Sequence, residues 1–108
     1  LTQQELGVAR RLVIPVPAGH FLGIFARSST PLKRGLVVAN GVGVVDADYS
    51  GPADEIKIQV MNVTAQPVTV APGDRIAQGV ILPFVRAEFV DEPAAPGDRS
   101  RGGFGSTG

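Results

Sequence analysis

The sequence predicts an all-β protein on three observations. Glycine and proline supply 14 and 9 of the 108 residues and are spread along the chain. The apolar segments between them are short and rich in valine and isoleucine, which is typical of strands. No stretch keeps helical spacing beyond about two turns. We therefore predict a compact antiparallel barrel or sandwich.

The first predicted strands are RLVIPVP and HFLGIFA, joined by a turn at Pro17-Ala18-Gly19. TPLKRG has room for one short helix. LVVA and VGVV flank Asn40-Gly41, and both residues of that pair tolerate the positive φ of a tight hairpin. These two segments are therefore predicted to pair with each other.

In EIKIQVMNV, apolar residues at 56, 58 and 60 alternate with residues 57, 59 and 61, as in a half-buried strand. QPVTV and RIAQGVILPFV, separated by the turn APGD, complete the predicted strands. After Val90 the chain is dominated by Pro, Gly, Ala, Ser, Asp and Arg. We predict a β domain over residues 1–90 and a flexible arm over 91–108. The composition of this arm is also typical of a disordered tail without a function.

Composition excludes several classes of function. Ten basic and ten acidic residues leave no net charge, so we expect no general nucleic-acid binding. With no cysteine and one histidine, a zinc site held by side chains is excluded. No apolar run reaches the length of a membrane helix. We expect a cytoplasmic protein, or one from another reducing compartment.

Two segments carry groups suited to chemistry. Arg27 is followed by two serines at a predicted strand-to-turn junction, and guanidinium, hydroxyl and backbone N–H groups all suit phosphate oxygens. Asp46 and Asp48 follow the strand GVV. Asp46 is a candidate base for activating a water, although turn carboxylates that cap the following bend would look the same.

The order of four motifs resembles the trimeric dUTPase family: RSS-x₃-K-x-G, then NGVGVVDADYSG, then PGDRIAQ, then R-x₃-GFGSTG. The resemblance covers residues 11–108. It implies a jelly-roll-like β subunit that assembles as a homotrimer with shared active sites. It also implies hydrolysis of dUTP to dUMP and pyrophosphate, with Mg²⁺ held through the substrate phosphates and water rather than directly by side chains.

The resemblance assigns roles residue by residue. Asp46 orients and activates the attacking water, and Tyr49 packs on the deoxyribose and excludes a 2′-hydroxyl. The uracil and phosphate contacts implied in the β domain are Asn40, Val44 and Val45 for the base, Arg27, Ser28, Ser29 and Gln78 for the phosphates, and Lys57 through its backbone.

The C-terminal arm is implied to be a lid over a neighbouring subunit's site. Phe104 stacks on uracil, and Gly105, Ser106 and Thr107 approach the phosphates. Arg99, rather than Arg101, reaches the γ-phosphate by the family spacing. Glycine permits the close backbone approach that such a lid needs.

The chain departs from the family in three places. The first motif, A-G-x-D-L, would fall before Leu1. The stretch PADEIKIQ is about three residues longer than in many relatives, which indicates a bulge or loop after the YSG turn. Ala26 stands where proline is frequent.

Two alternatives stay open. One is a dCTP deaminase, alone or combined with dUTPase activity, which needs a glutamate near the base. The glutamates are Glu5, Glu55, Glu88 and Glu92, none of which is expected beside the Asn40 hairpin. The other is a catalytically silent β-barrel that serves as an interaction module.

Overall fold

The computed structural model describes residues 2–7 and 11–93, and the arm residues from 94 onward lie outside it. The described residues form six strands and one short helix: β1 Thr2–Gly7, β2 His20–Ala26, α1 Ser29–Arg34, β3 Leu36–Val38, β4 Gly43–Val45, β5 Val60–Asn62 and β6 Arg75–Pro83. The all-β prediction is confirmed. None of the described helices is long and apolar enough to cross a membrane.

The strands form two antiparallel sheets. The larger has the order β1-β6-β2-β4, and the smaller pairs β3 with β5. Strand β2 lies against β6 from His20–Pro83 to Ala26–Ala77. On its other side, β2 pairs with β4 from Leu22–Val45 to Ile24–Gly43. Strand β4 is therefore an edge strand of this sheet, and its outer side is unpaired in the described part of the chain.

The core lies on one face of the larger sheet. Val16, Leu22, Ile24 and Ala77 form a buried cluster. Partly buried apolar residues pack around it, namely Leu12, Ile14, Val45, Ala47, Ile56, Ile58 and Ile81. The cluster fixes β4 and the segment around Ile56 on the same core, which positions both for the site described below.

The predicted turn at Asn40-Gly41 forms, but the prediction that the strands on either side of it pair with each other is wrong. The turn itself forms, since the Gly41 N–H donates to Val38 O at 3.0 Å and Gly41 has φ +77°. However, β3 pairs with β5, and β4 pairs with β2. The turn carries the chain from one sheet to the other, because each strand finds its hydrogen-bond partner elsewhere.

Two predicted strands, RLVIPVP and QPVTV, have no ladder. Pro15, Pro17 and Pro67 lack the N–H that a ladder needs. Side chains still alternate in 12–16, where Leu12, Ile14 and Val16 turn toward the core. In EIKIQVMNV the burial also alternates from 56 to 61, although only Val60–Asn62 pairs.

Other predictions are confirmed. HFLGIFA is β2, and β6 covers most of RIAQGVILPFV. The short helix begins at Ser29, one residue before the predicted segment. The APGD turn closes through the Asp74 N–H on Ala71 O at 3.1 Å. The boundary at Val90 stays a prediction.

Candidate functional site

The first half of the site is a basic cavity of about 490 Å³ beside the end of β2. The junction of β2 with α1 supplies Arg27, Ser28 and Ser29, and the start of β6 with the turn before it supplies Gly73, Asp74 and Arg75. Lys33 and Arg34 of α1 complete the lining. Of this lining, only Arg27, Ser28 and Ser29 are predicted phosphate contacts from the sequence. The cavity is cationic and open to solvent, so it suits an anion with several oxygens.

A buried threonine holds the Arg27 loop in place. Thr30 is fully buried. Its hydroxyl accepts the Arg27 backbone N–H at 3.0 Å and donates to Ile76 O at 2.8 Å. The Arg27 guanidinium also donates to Arg75 O at 3.1 Å. These bonds tie the loop to β6. Sequence reasoning missed Thr30, and its only signal is a hydroxyl residue directly after Arg-Ser-Ser.

An ion pair joins the two walls of the basic cavity. Arg34 Nη1 lies 2.9 Å from Asp74 Oδ2, and the same oxygen accepts the Ala71 N–H at 2.9 Å. The Ala71 N–H, followed by the Arg34 guanidinium, lowers the pKa of Asp74 below its usual 3.8. The carboxylate form is therefore favoured in the folded protein.

We expect Asp74→Asn to destabilise the protein at neutral pH and to destabilise it less in acid. A lowered folded-state pKa means that the stabilisation is complete above the unfolded value near 3.8 and is lost as pH falls through the folded value. Urea midpoints of both proteins at pH 7 and at pH 3 measure this. The difference between the two urea midpoints should be smaller at pH 3 than at pH 7. Equal midpoints at pH 7 would refute the role of the ion pair.

The second half is a smaller cavity of about 230 Å³, here called the Asp46 cavity. Its lining is Val44, Val45, Asp46, Tyr49, Glu55, Ile56 and Lys57. Asp46 directly follows β4 and is exposed. Within residues 2–7 and 11–93 its carboxylate has no hydrogen-bond or ion-pair partner. The group is thus available to a water or a ligand hydroxyl.

Tyr49 is fixed within the Asp46 cavity by two contacts. Its backbone N–H donates to Asp46 O at 3.2 Å, which closes the turn after β4. Its hydroxyl donates to Glu55 O at 3.0 Å. The residue is 38% exposed, so Tyr49 remains accessible to a ligand while its hydroxyl is tethered.

Glu55 lines the Asp46 cavity, which Asn40 does not line, so the expectation that no glutamate lies beside the Asn40 hairpin stays a prediction. A turn at 51–54, closed by the Asp54 N–H on Gly51 O at 3.0 Å, brings the chain back so that Glu55 lines the cavity. The Glu55 carboxylate accepts a hydrogen bond from Arg11 Nε at 3.2 Å.

The two cavities lie at opposite ends of β2. Asp46 is one residue beyond the Leu22–Val45 pair, whereas Arg27 follows Ala26. Six residue steps of an extended strand separate these positions, or about 20 Å. One chain therefore does not bring Asp46 and Arg27 together around one small ligand.

The remaining candidates divide between the two ends. Lys57 lines the Asp46 cavity, but Asn40 is exposed on its turn and does not. Gln78, opposite Phe25, donates to Ala26 O at 3.0 Å beside the Arg27 loop. The predicted arm residues lie outside the described residues: Arg99, Phe104, Gly105, Ser106 and Thr107. In the described part of the chain, no group of three or more His, Cys, Asp or Glu could hold a metal ion.

The chain belongs to the dUTPase family, whose family model matches residues 3–108. Among curated proteins it is 42% identical to the deoxyuridine 5′-triphosphate nucleotidohydrolase of Desulfitobacterium hafniense strain DCB-2, over 97% of this chain and 74% of that protein. The corresponding Lactococcus lactis protein is 45% identical, over 84% of this chain and 61% of its own.

Solved structures agree on the fold. The dUTPase from Streptococcus mutans has a TM-score of 0.63 and 35% identity, and covers 81% of this chain and 75% of its own. A dUTPase from phage phi11 of S. aureus has a TM-score of 0.61 over 90% of this chain and 75% of its own, at 18% identity. At that identity the likeness concerns the fold alone. The recognition drawn from the four motifs is confirmed.

Proposed function

We propose that this protein hydrolyses dUTP to dUMP and pyrophosphate. The observation that carries the proposal is the exposed Asp46 carboxylate, without a partner in the described residues, at the rim of a cavity that also holds the tethered Tyr49 ring. Membership of the dUTPase family supports the same reaction. This activity would supply dUMP, a precursor of dTTP, and keep uracil out of DNA.

In the proposed reaction, Asp46 accepts a proton from a water as that water attacks the α-phosphorus. A new oxygen bond forms at the α-phosphorus, and its bond to the bridging oxygen of the β-phosphate breaks. Pyrophosphate leaves with the electron pair of that bond. Asp46 then returns its proton to solvent. A positioned general base of this kind contributes about 10²- to 10⁴-fold to rate.

The edge position of β4 supports uracil recognition. Val44 is 63% exposed, and the unpaired side of an edge strand presents backbone donors and acceptors in alternation. Uracil offers an N–H flanked by two carbonyls, which such an edge can pair. Cytosine reverses two of these groups, and each buried group left unpaired costs about 1–3 kcal/mol. Asn40, on the turn before β4, is proposed as a further contact to the base.

The phosphates are assigned to the basic cavity of a neighbouring subunit. Because the two cavities of one chain are about 20 Å apart, a second copy must bring its Arg27, Ser28 and Ser29 to the Asp46 cavity. Val85, Phe89 and Val90 are 94%, 96% and 76% exposed, which is apolar surface suited to burial against another subunit. Both observations support the proposed homotrimer with shared sites.

Mg²⁺ is proposed to enter with the nucleotide. The basic cavity presents Arg27, Lys33, Arg34 and Arg75, and its one carboxylate, Asp74, is engaged by Arg34. Such a lining fits the phosphates but not a bare dication, so the ion would be held by phosphate oxygens and water. When bound, it would neutralise charge on the triphosphate. The protein residues position the phosphate chain that carries it.

The arm is proposed to act as the lid that the fourth motif implies. Phe104 would cover the uracil, while Arg99, Gly105, Ser106 and Thr107 would contact the phosphates. Lys57 and Gln78 are proposed as supporting contacts at the two ends of the site. The presence of Glu55 in the Asp46 cavity makes dCTP deamination the alternative that most needs a direct test.

A substrate panel tests the proposed function. The full-length protein is incubated separately with dUTP, dCTP, dTTP and UTP in the presence of Mg²⁺, and both pyrophosphate and ammonia are measured. We expect pyrophosphate from dUTP and little from the others. Ammonia from dCTP would establish the deaminase instead, and no turnover of any nucleotide would support the silent interaction module.

A further inference from the structure

The turn at 51–54 has a closed hydrogen-bond pattern centred on Asp54. Its Oδ2 accepts the Gly51 N–H at 2.9 Å, and its own N–H donates to Gly51 O at 3.0 Å. A Cβ at Gly51 would come within 3.1 Å of that same oxygen. The turn is thus tightly built around the Asp54 side chain.

This turn delivers the Glu55 backbone to a fixed position. The Glu55 N–H donates to Ala53 O at 3.0 Å, and the next N–H, of Ile56, donates to Leu12 O at 2.7 Å. Glu55 O is then the acceptor for the Tyr49 hydroxyl at 3.0 Å. The Asp54 carboxylate is therefore linked to the phenol ring of the Asp46 cavity in three steps: its hydrogen bond to Gly51 fixes the turn, the backbone continues from Asp54 to Glu55, and Glu55 O accepts the Tyr49 hydroxyl.

We propose that Asp54 is a positioning residue that sets the sugar selectivity of the Asp46 cavity by fixing the Tyr49 ring through Glu55. The proposal rests on the proposed function together with the role that the family resemblance implies for Tyr49, in which its ring packs on the deoxyribose and excludes a 2′-hydroxyl. A tethered ring blocks the additional oxygen because it cannot move aside. Loss of the tether lets the ring rotate about its side-chain torsions, so a ribonucleotide gains room while a deoxyribonucleotide still fits.

The test compares kcat/KM for dUTP and UTP in wild type, Asp54→Ala, Asp54→Asn and Tyr49→Phe. Asp54→Ala removes the acceptor for the Gly51 N–H and should lower the dUTP/UTP selectivity about tenfold, mainly by improving UTP turnover. Asp54→Asn keeps an acceptor oxygen and should retain most of the selectivity. Tyr49→Phe removes the hydroxyl that donates to Glu55 O, and its dUTP/UTP selectivity should resemble that of Asp54→Ala.

Non-additivity provides a second check. If both residues act through the same linkage, their effects should not add. The Asp54→Ala/Tyr49→Phe double variant should then be about as selective for dUTP over UTP as the less selective of the two single variants. Glu88→Gln serves as the matched control, because it removes an exposed acidic charge outside both cavities. We expect it to keep wild-type selectivity.

A direct readout of the ring is independent of catalysis. Tyr49 is the single tyrosine and the chain has no tryptophan, so intrinsic tyrosine fluorescence reports on this residue alone. Its anisotropy should decay faster in Asp54→Ala than in wild type or Asp54→Asn. Equal decays in all three proteins would overturn the positioning role.

The outcomes separate the two hypotheses. Wild-type protein that does not hydrolyse dUTP refutes the proposed function, and the anisotropy measurement still tests whether Asp54 fixes the ring. Normal dUTP hydrolysis with unchanged selectivity in Asp54→Ala refutes the role of Asp54 alone. Equal loss in Asp54→Ala and Asp54→Asn would also overturn it, because the effect would then follow charge rather than the hydrogen bond.

Discussion

Asp46→Asn is expected to lower kcat for dUTP by about 10²- to 10⁴-fold and to change nucleotide affinity by only a few-fold. Asparagine has nearly the same shape as aspartate and lines the cavity in the same way, but it does not accept the proton of the attacking water. Steady-state kinetics give kcat, and calorimetric titration with a dUTP analogue that resists cleavage gives Kd. A loss confined to kcat identifies a group that acts in the transition state.

Asp48→Asn is the matched comparison for this experiment. Asp48 is also exposed and lies only two residues further along the chain, but it does not line the Asp46 cavity. We expect a much smaller loss of kcat. Near-normal kcat in Asp46→Asn, or an equal loss in both variants, would refute the assignment of Asp46 as the base.

Arg27→Ala should lower kcat/KM for dUTP by about 10- to 100-fold, since hydrogen bonds to charged groups contribute about 1.5–3 kcal/mol. The Arg27 guanidinium lines the basic cavity, and Thr30 holds its backbone. Arg27→Lys should fall between wild type and Arg27→Ala, because lysine keeps the charge but not the two-pronged geometry. A kcat/KM unchanged in Arg27→Ala would show that the basic cavity does not bind the phosphates.

The local parts of the fold were predictable because their signals are local. HFLGIFA and RIAQGVILP have the composition and length of strands, and TPLKRG ends in a glycine that adopts φ +66° at the end of α1. The pairing of β3 with β5 was not predictable in this way. Partner choice depends on long-range contacts, and Asn40-Gly41 specifies a turn without specifying which strand each neighbour joins.

Strand β1 was also missed, because TQQELG has few apolar or β-branched residues. It forms a strand because it pairs with β6, although its own composition does not predict one. By contrast, the alternation at 56–61 correctly predicted which side chains turn toward the core, even where no ladder forms.

In the candidate site, too, residues with local sequence signals were predictable and residues that act through long-range contacts were not. Motifs identified Asp46, Tyr49 and Arg27, since these residue types are tied to particular chemistry. They gave no role to Thr30, Asp74 or Glu55, each of which contacts a segment distant in sequence. Nor did the linear order show that the two cavities lie at opposite ends of β2, a consequence of strand register alone.

The central claim is that dUTP is hydrolysed at a site that takes Asp46 from one subunit and Arg27 from another. The most direct test unfolds Asp46→Asn and Arg27→Ala proteins together, refolds the 1:1 mixture and measures dUTP hydrolysis. Random assembly leaves about one quarter of shared sites with both native residues. We predict recovery of about that fraction of wild-type activity, whereas a mixture no more active than the two variants refolded separately would contradict the shared site.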